Sequence, residues 1–318
     1  MTLTELKYIV AVARERHFGR AAEACFVSQP TLSVAIRKLE DELGVTLFER
    51  GGSEVGVTPI GQRIVIQAQK VLEESANIKE IARQGHDPLA GALRVGVIHT
   101  VGPYLLPRLV PAQIELTPQM PLVLQENFTV RLLELLRQGE IDCAIMALPL
   151  PESGLIVQPL YDEPFIVAVP QTHEMAKLKT IDAHDLKKQN MLLLGSGHCF
   201  RDQVLEVCPE LSRFSATSDG IQRTFEGSSL ETIRHMVAAG IGVTVLPMSA
   251  VPEGSAETPA AKSLLRYVPF SGPVPERRIV LAWRRSFPRL AAVEALAQAV
   301  RTCGLPHVKM LDEEPVPA

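Results

Sequence analysis

Aromatic residues are scarce: Phe, Trp and Tyr make up 5% of 318 residues, with a single Trp. Any core must then be aliphatic. No uncharged apolar run approaches about 18 residues, so no membrane span is expected. The opening MTLTELKYIVAVARER carries acid and base inside its apolar pattern and lacks a small-residue cleavage site. It is unlike a secretory signal, and a cytoplasmic protein is expected. Positive charge is not in excess either: 32 Lys and Arg face 36 Asp and Glu, a net charge of −4. That excludes a generally basic nucleic-acid coat. It does not exclude a compact DNA-reading element, because local charge decides binding. There is no P-loop, and no GxGxxG follows a strand. Cysteines are few, and their number, five, is odd. Without an export signal, reduced thiols are the default and any disulfide is transient, catalytic or sensory. No Cys/His spacing suggests zinc, and no metal or other cofactor is expected. What is present is ordinary: 46% hydrophobic and 21% charged residues, which excludes disorder and collagen. The length allows two or three domains of about 100–200 residues.

Residues 1–58 read as short helices and a wing. Leu6, Ile9, Val10 and Ala13 recur at helical spacing. A second helix covers roughly Arg20 to Cys25, and a third runs from Gln29 to Leu43. Ser28 caps the third helix, Pro30 fits its first turn and Gly44 stops it. VTLFERGGSEVGVTP suggests two short strands about a Gly-Gly turn. A long helix is expected from Thr58-Pro59 to about Gln84, with Ile64, Ala68, Val71, Ser75, Ile78 and Ala82 on one small or apolar face. A stripe of that length needs a partner helix, hence dimerisation. HDPLAG at 86–91 reads as a hinge. Beyond it, strand candidates at 93–98, 121–128, 142–148, 164–170, 190–195, 242–247 and 278–283 alternate with helical patterns at 130–140, 201–208, 229–240 and 288–302. The alternation implies parallel α/β sheets, arranged as two small lobes about a cleft. The expected division is 1–58, a linker 59–90, a two-lobed domain 91–303 and a loose tail 304–318.

In the third helix, Leu32, Ile36, Leu39 and Leu43 share one face. Pro30, Thr31, Val34, Arg37 and Lys38 share the other, which turns acidic only at Glu40, Asp41 and Glu42. A helix-turn-helix needs this arrangement, because its N-terminal turns approach base edges and phosphates. The spacing also fits a plain three-helix packing unit, and residues 1–58 hold seven Lys/Arg against eight Asp/Glu. The residues themselves are more specific. RAAEACFVSQPTLSVAIRKLEDELGVTLFER followed by VTPIGQ resembles the amino-terminal domain of LysR-type transcriptional regulators, through the alanine pair, SQPTLS, IRKLEDELG, LFER and TP-x-G. The resemblance implies an all-α winged helix-turn-helix, a dimerising linker helix and an α/β effector domain of two Rossmann-like lobes, like a periplasmic binding protein. It places Ser28, Gln29, Pro30, Thr31 and Ser33 at the major groove of double-stranded promoter DNA, with Ser33 at the edge of the face. Arg37, Lys38 and Arg50 fall on the phosphate side.

GSGHCFRDQVLEVCPE sets Cys199 and Cys208 nine positions apart. A helix between them separates their Cα atoms by about 13 Å, whereas a disulfide needs about 4.4–6.8 Å. Bonding the two therefore requires the segment to unwind. Closing so short a loop contributes roughly 2.7 kcal/mol on the chain-entropy model. Cys199 stands at the expected helix start between His198 and Arg201, where a helix N-terminus and nearby cations favour a thiolate. Peroxide converts such a thiolate to a sulfenic acid, and a second thiol converts that to a disulfide. Two buried structural cysteines fit the same spacing. Cys25 and Cys143 read as packing residues and Cys303 as accessible; His17, His99 and His235 read as isolated and structural.

GHCFRDQVLEVC is similar to the redox segment of OxyR-type peroxide sensors, a LysR-type subfamily, and the likeness extends through HTVGPYLLP, QENFT, LYDEPF and SSLETIRHMVAAG. It implies that Cys199 is the peroxide-reactive and Cys208 the resolving cysteine, with hydrogen peroxide as the sensed oxidant. Thr100 and Thr129, expected at the ends of the first two effector strands where ligands gather, would line the peroxide pocket. His198, Asp202 and Arg277 would line or support it, with Arg278 leaving the choice between the two arginines open. The subfamily further implies a tetramer of paired dimers, activation of antioxidant genes and contact with RNA polymerase. A reducing cytosol calls for reversal of the disulfide by glutaredoxin or thioredoxin. The rivals are a LysR-type regulator with inert cysteines and a metabolite in the inter-lobe cleft, a thiol peroxidase, and a two-lobed solute-binding protein. The DNA module argues against the last two.

Overall fold

A computed structural model describes residues 1–49, 55–84, 87, 89–150, 154–209, 224–227, 229–253 and 264–317. The chain falls into two compact units, Met1–Asp87 and Pro88–Ala318.

The first unit holds α1 (Leu3–Glu15), α2 (Phe18–Ala24), α3 (Gln29–Leu43), the short strands β1 (Phe48–Glu49) and β2 (Gly56–Val57), and α4 (Pro59–Gln84). Its helix ends are written in the sequence. The Thr2 hydroxyl accepts from Glu5 N while the Glu5 carboxylate accepts from Thr2 N at 2.7 Å, a reciprocal cap on α1. Ser28 caps α3, and Gly44 ends it at φ 66, a conformation that favours glycine. Ile9, Val12, Leu32, Ile36, Leu39 and Leu47 are fully buried between the helices and the wing. Leu43, expected on that buried face, is 37% exposed, because the chain leaves the helix at the next residue.

The TP-x-G signature has a steric cause. The Thr58 hydroxyl accepts from Gly61 N at 2.9 Å and donates to the Thr46 carbonyl at 2.7 Å. A Cβ on Gly61 would overlap the Leu47 carbonyl, so only glycine lets α4 start against the wing backbone. The expected apolar stripe of α4 divides. Ile64, Ala68 and Leu72 pack into the headpiece core, whereas Val71 and Ile78 are exposed. The side chain of Ala82 lies outside the described residues.

In the second unit, six strands lie in the order β10–β6–β11–β5–β3–β4, with β9, β12 and β13 also paired to β6; β7 and β8 form a separate pair. The strands are β3 (Leu93–Ile98), β4 (Leu122–Asn127), β5 (Cys143–Ala147), β6 (Leu155–Pro170), β7 (Met191–Leu194), β8 (Thr224–Gly227), β9 (Thr244–Pro247), β10 (Leu265–Val268), β11 (Glu276–Arg284), β12 (Lys309–Met310) and β13 (Val316–Pro317). The helices are α5 (Gly102–Leu116), α6 (Thr129–Arg137), α7 (Cys199–Val207), α8 (Leu230–Ala238) and α9 (Leu290–Thr302).

The expected parallel pairing is present, but the sheet is mixed. β3 pairs in parallel with β4 and β5, and β7 with β8, but β6 and β11 run antiparallel to each other and β11 antiparallel to β5. β6 is a 16-residue strand that serves two cores. Leu155, Val157, Leu160 and Tyr161 belong to one, and Phe165 to Val169 to the other. Its first half escapes sequence reading because Gln158, Pro159 and Asp162 interrupt the apolar run. Pro159 sits opposite Val280, where the β6–β11 register shifts. The helix α5 is hidden in the same way, by Pro107 and Pro111 within it.

The tail, expected to be loose, runs instead along β6. Lys309 and Met310 pair with Asp162 and Tyr161, and Val316 and Pro317 with Val157 and Ile156, all antiparallel. The Leu311 amide donates to the Leu160 carbonyl at 2.9 Å. Val308 and Met310 pack on the first core while Lys309 faces out, the alternation a strand imposes. The tail thus fills the side of β6 opposite β11, which would otherwise be an open edge. Deleting residues 309–317 is expected to destabilise the second unit by about 1–2 kcal/mol, from the lost apolar contact, and to promote self-association. Denaturant titration and light scattering at matched concentrations check both effects.

Candidate functional site

On α3 the residues Ser28, Gln29, Pro30, Thr31, Arg37 and Lys38 are exposed and Ser33 is half-buried; Arg50 lies outside the described residues. Two of the acids that balance the headpiece charge are occupied elsewhere. Glu40 turns inward and accepts from Leu47 N at 2.7 Å and Phe48 N at 3.2 Å, anchoring the wing. Glu42 pairs with the N-terminal ammonium at 2.8 Å. The exposed face of α3 therefore presents hydroxyl, side-chain amide and cationic groups at a helix N-terminus, where phosphate is favoured.

A second site forms where three segments of the second unit converge. β3 ends at Ile98, and His99 and Thr100 follow before α5. β4 ends at Asn127; Phe128 then caps α6, and Thr129 opens it. Neither threonine is thus a strand residue. Each lies just past a strand end, where the parallel register Ile98↔Asn127 brings the two segments side by side. The third segment is Gly197 and His198, leading into Cys199 at the first position of α7. Ile98, His99, Thr100, Asn127, Phe128, Thr129, Gly197, His198 and Cys199 line a pocket with about 10 Å³ for the centre of a water-sized molecule. That is on the order of what one water requires.

The polar groups of this pocket are unevenly satisfied. The Thr129 hydroxyl is buried and has no hydrogen-bond partner among the described residues, an arrangement that costs about 1–3 kcal/mol until a ligand or water fills it. Thr100 is held from behind. Arg277 Nη1 donates to its hydroxyl at 2.8 Å and Nη2 to its carbonyl at 3.0 Å. Arg277 also pairs with Glu163 at 2.7 Å, with both side chains fully buried, and its guanidinium lies 4.8 Å from the centroid of the Phe200 ring. Arg278 points elsewhere, to Asp162 at 2.7 Å and Glu313 at 3.5 Å. Arg277 is therefore the arginine behind the pocket. His198 is buried within the lining, whereas Asp202 is exposed and takes no part in it.

All five cysteines are unbridged thiols. Cys199 opens α7 and packs, half-buried, against the first core. Cys208 terminates the same helix, lies within the second core, and donates from Sγ to the Ala183 carbonyl at 3.7 Å. The two sulfurs thus sit at opposite ends of a helix and in different cores. Burial pushes the Cys25, Cys143 and Cys303 thiols up, which disfavours the reactive thiolate at all three.

Sequence reading missed His99 and Phe128. Both flank residues it singled out, but the register of β3 against β4 is what joins them. Among the described residues no group of three or more His, Cys, Asp and Glu side chains is arranged to hold a metal. No helix there is long and apolar enough to cross a membrane.

Residues 3–62 match the family described as bacterial regulatory helix-turn-helix protein, lysR family, and residues 86–303 match the LysR substrate binding domain. The chain is 41% identical over 314 residues to the hydrogen peroxide-inducible genes activator of Dickeya chrysanthemi, covering 99% of each chain. It is 42% identical over 301 residues to the DNA-binding transcriptional dual regulator OxyR of Escherichia coli, covering 95% of each. A full-length OxyR variant from Pseudomonas aeruginosa has a similar solved structure, at 52% identity and TM-score 0.74, with 96% of this chain and 99% of that one covered.

Proposed function

Because the chain belongs to the OxyR branch of the LysR family of transcriptional regulators, we propose that its α7 pocket senses hydrogen peroxide and its α3 helix carries the response to promoter DNA. The Cys199 thiolate attacks one peroxide oxygen. The O–O bond breaks, the sulfur becomes a sulfenic acid, and the departing oxygen leaves as water after taking a proton. The Cys208 thiol then displaces that hydroxyl as a second water, and a disulfide forms. Thr100 and Thr129 offer hydroxyls to the peroxide, and Arg277 fixes the first of them.

The observation that carries this reading is the position of the two sulfurs at opposite ends of α7. A bond between them and the helix between them exclude one another, so oxidation is converted into a change of fold. That change would alter contacts between lobes or subunits and re-space the DNA-reading helices, and hence the half-sites engaged. The exposed apolar residues of α4 support a dimer, and two dimers would form a tetramer. Activation of antioxidant genes would proceed by contact with RNA polymerase in the cytoplasm, with glutaredoxin or thioredoxin restoring the thiols. The chain would act once per oxidation event, as a switch and not as an enzyme.

Thiol-labelling mass spectrometry with DNase footprinting, before and after stoichiometric peroxide, tests the reading. The expected result is loss of two labels, at Cys199 and Cys208, together with an altered footprint. Full oxidation with an unchanged footprint overturns it. A footprint that responds to a small metabolite, with both thiols intact, would favour the inter-lobe cleft as the sensing site.

A further inference from the structure

We infer that the rings of His99, Phe128 and His198 form a steric filter over Cys199, so that Phe128 and His99 set which peroxides reach the thiol. The inference rests on the peroxide-sensing reading and adds its selectivity: hydrogen peroxide enters, and alkyl hydroperoxides are held out.

The three rings meet pairwise. His99 and Phe128 have centroids 5.2 Å apart, Phe128 and His198 4.7 Å, and His99 and His198 5.8 Å, all edge-to-face. Such contacts hold aromatic rings in definite orientations. Each ring comes from a different segment, so the triangle spans the convergence of β3, β4 and α7. His198 is the inner member, 5% exposed, and Phe128 an outer one, 39% exposed. His99, the second outer ring, has its Nδ1 3.8 Å from Glu126 Oε2. The backbone closes on the same point. Gly197 takes φ +95, and a Cβ there would come to 3.4 Å from the Phe128 ring.

Neither Phe128 nor His99 belongs to a hydrophobic core. A large apolar ring held at a pocket edge without a packing role calls for another explanation. The free space supplies one, since room of about 10 Å³ for the centre of a water-sized molecule leaves place only for an entrant on that small scale. Hydrogen peroxide has two oxygens and an O–H at each end to meet the threonine hydroxyls. An alkyl hydroperoxide replaces one O–H by a hydrocarbon group that must pass between the rings. The chemistry is otherwise the same. Sulfur takes the terminal OH, the O–O bond breaks, and the remaining oxygen leaves with a proton as water or as alcohol.

The test measures the rate of Cys199 oxidation in the full chain, by quenched alkylation and mass spectrometry, with hydrogen peroxide and with tert-butyl hydroperoxide. Phe128→Ala is expected to raise the tert-butyl hydroperoxide rate and to lower the rate ratio of hydrogen peroxide to tert-butyl hydroperoxide by at least about tenfold, the scale at which pocket walls discriminate. His99→Ala shifts the ratio in the same direction and serves if Phe128→Ala misfolds. A tert-butyl hydroperoxide rate that fails to rise in either variant overturns the filter. Wild-type Cys199 unreactive toward hydrogen peroxide would instead overturn the sensing reading itself.

Discussion

Cys199→Ser protein is expected to ignore hydrogen peroxide: its footprint on DNA stays that of the reduced form, and no disulfide forms at any stoichiometric dose. A hydroxyl in place of the thiol removes the nucleophile, and the loss of oxidation rate should exceed about a thousandfold. The remaining cysteines are poorly placed to substitute. Burial holds the Cys25, Cys143 and Cys303 thiols up, and Cys208 lies inside the second core. Cys208→Ser is the informative companion. It should oxidise at Cys199 but stop there, gaining about 16 Da as a sulfenic acid or going on to higher oxides. A shifted footprint in Cys199→Ser after peroxide, or normal disulfide formation in either variant, would remove the pair from the mechanism.

The energetics restrict what the oxidised segment can become. Phe200 and Val204 are 1% and 2% exposed on the buried side of α7. Releasing both to water costs about 3–6 kcal/mol. An oxidised form that reburies at least one of them is therefore favoured. Phe200 is the one coupled to the pocket, because its ring lies beneath the Arg277 guanidinium and edge-to-face with Phe165 at 5.0 Å. Any movement of α7 that withdraws Phe200 uncovers the arginine that orients Thr100. Phe200 thus joins the refolding helix to the arginine behind the sensing pocket.

How far sequence reasoning reached depends on whether a feature is local. Caps, turns and the faces of α3 are set within a few residues, so Ser28, Gly44 and the Leu32–Ile36–Leu39 stripe could be read directly. The separation of Cys199 and Cys208 follows from helix geometry alone. The long strand β6 could not be read, because Pro159 is tolerated only at a register shift opposite a strand more than 100 residues later in the chain. The tail looked loose for a related reason: what orders it is the open edge of β6, not its own composition. His99 looked isolated because its neighbours Phe128 and His198 are distant in sequence. Arg277 and Arg278 are adjacent in one strand and so point to opposite faces, which only the sheet could assign.

Arg277→Met is expected to have the largest effect on stability of any single change considered. The guanidinium and the Glu163 carboxylate are fully buried and 2.7 Å apart. Glu163 also accepts from the Ser249 amide at 3.3 Å. Removing the arginine leaves a buried carboxylate without its cation, at a cost of about 3–5 kcal/mol. The double variant Arg277→Met/Glu163→Met should recover much of that loss, since replacing both partners by apolar groups of similar volume is often close to neutral. Function should not recover with it. Thr100 would still lack both of the bonds that hold its hydroxyl and carbonyl, so peroxide oxidation of Cys199 should stay slow in the refolded double variant. Denaturant titration reads the first quantity and quenched thiol labelling the second. A double variant that regained both stability and wild-type oxidation rate would show that Arg277 serves the fold alone and that Thr100 needs no orientation from behind.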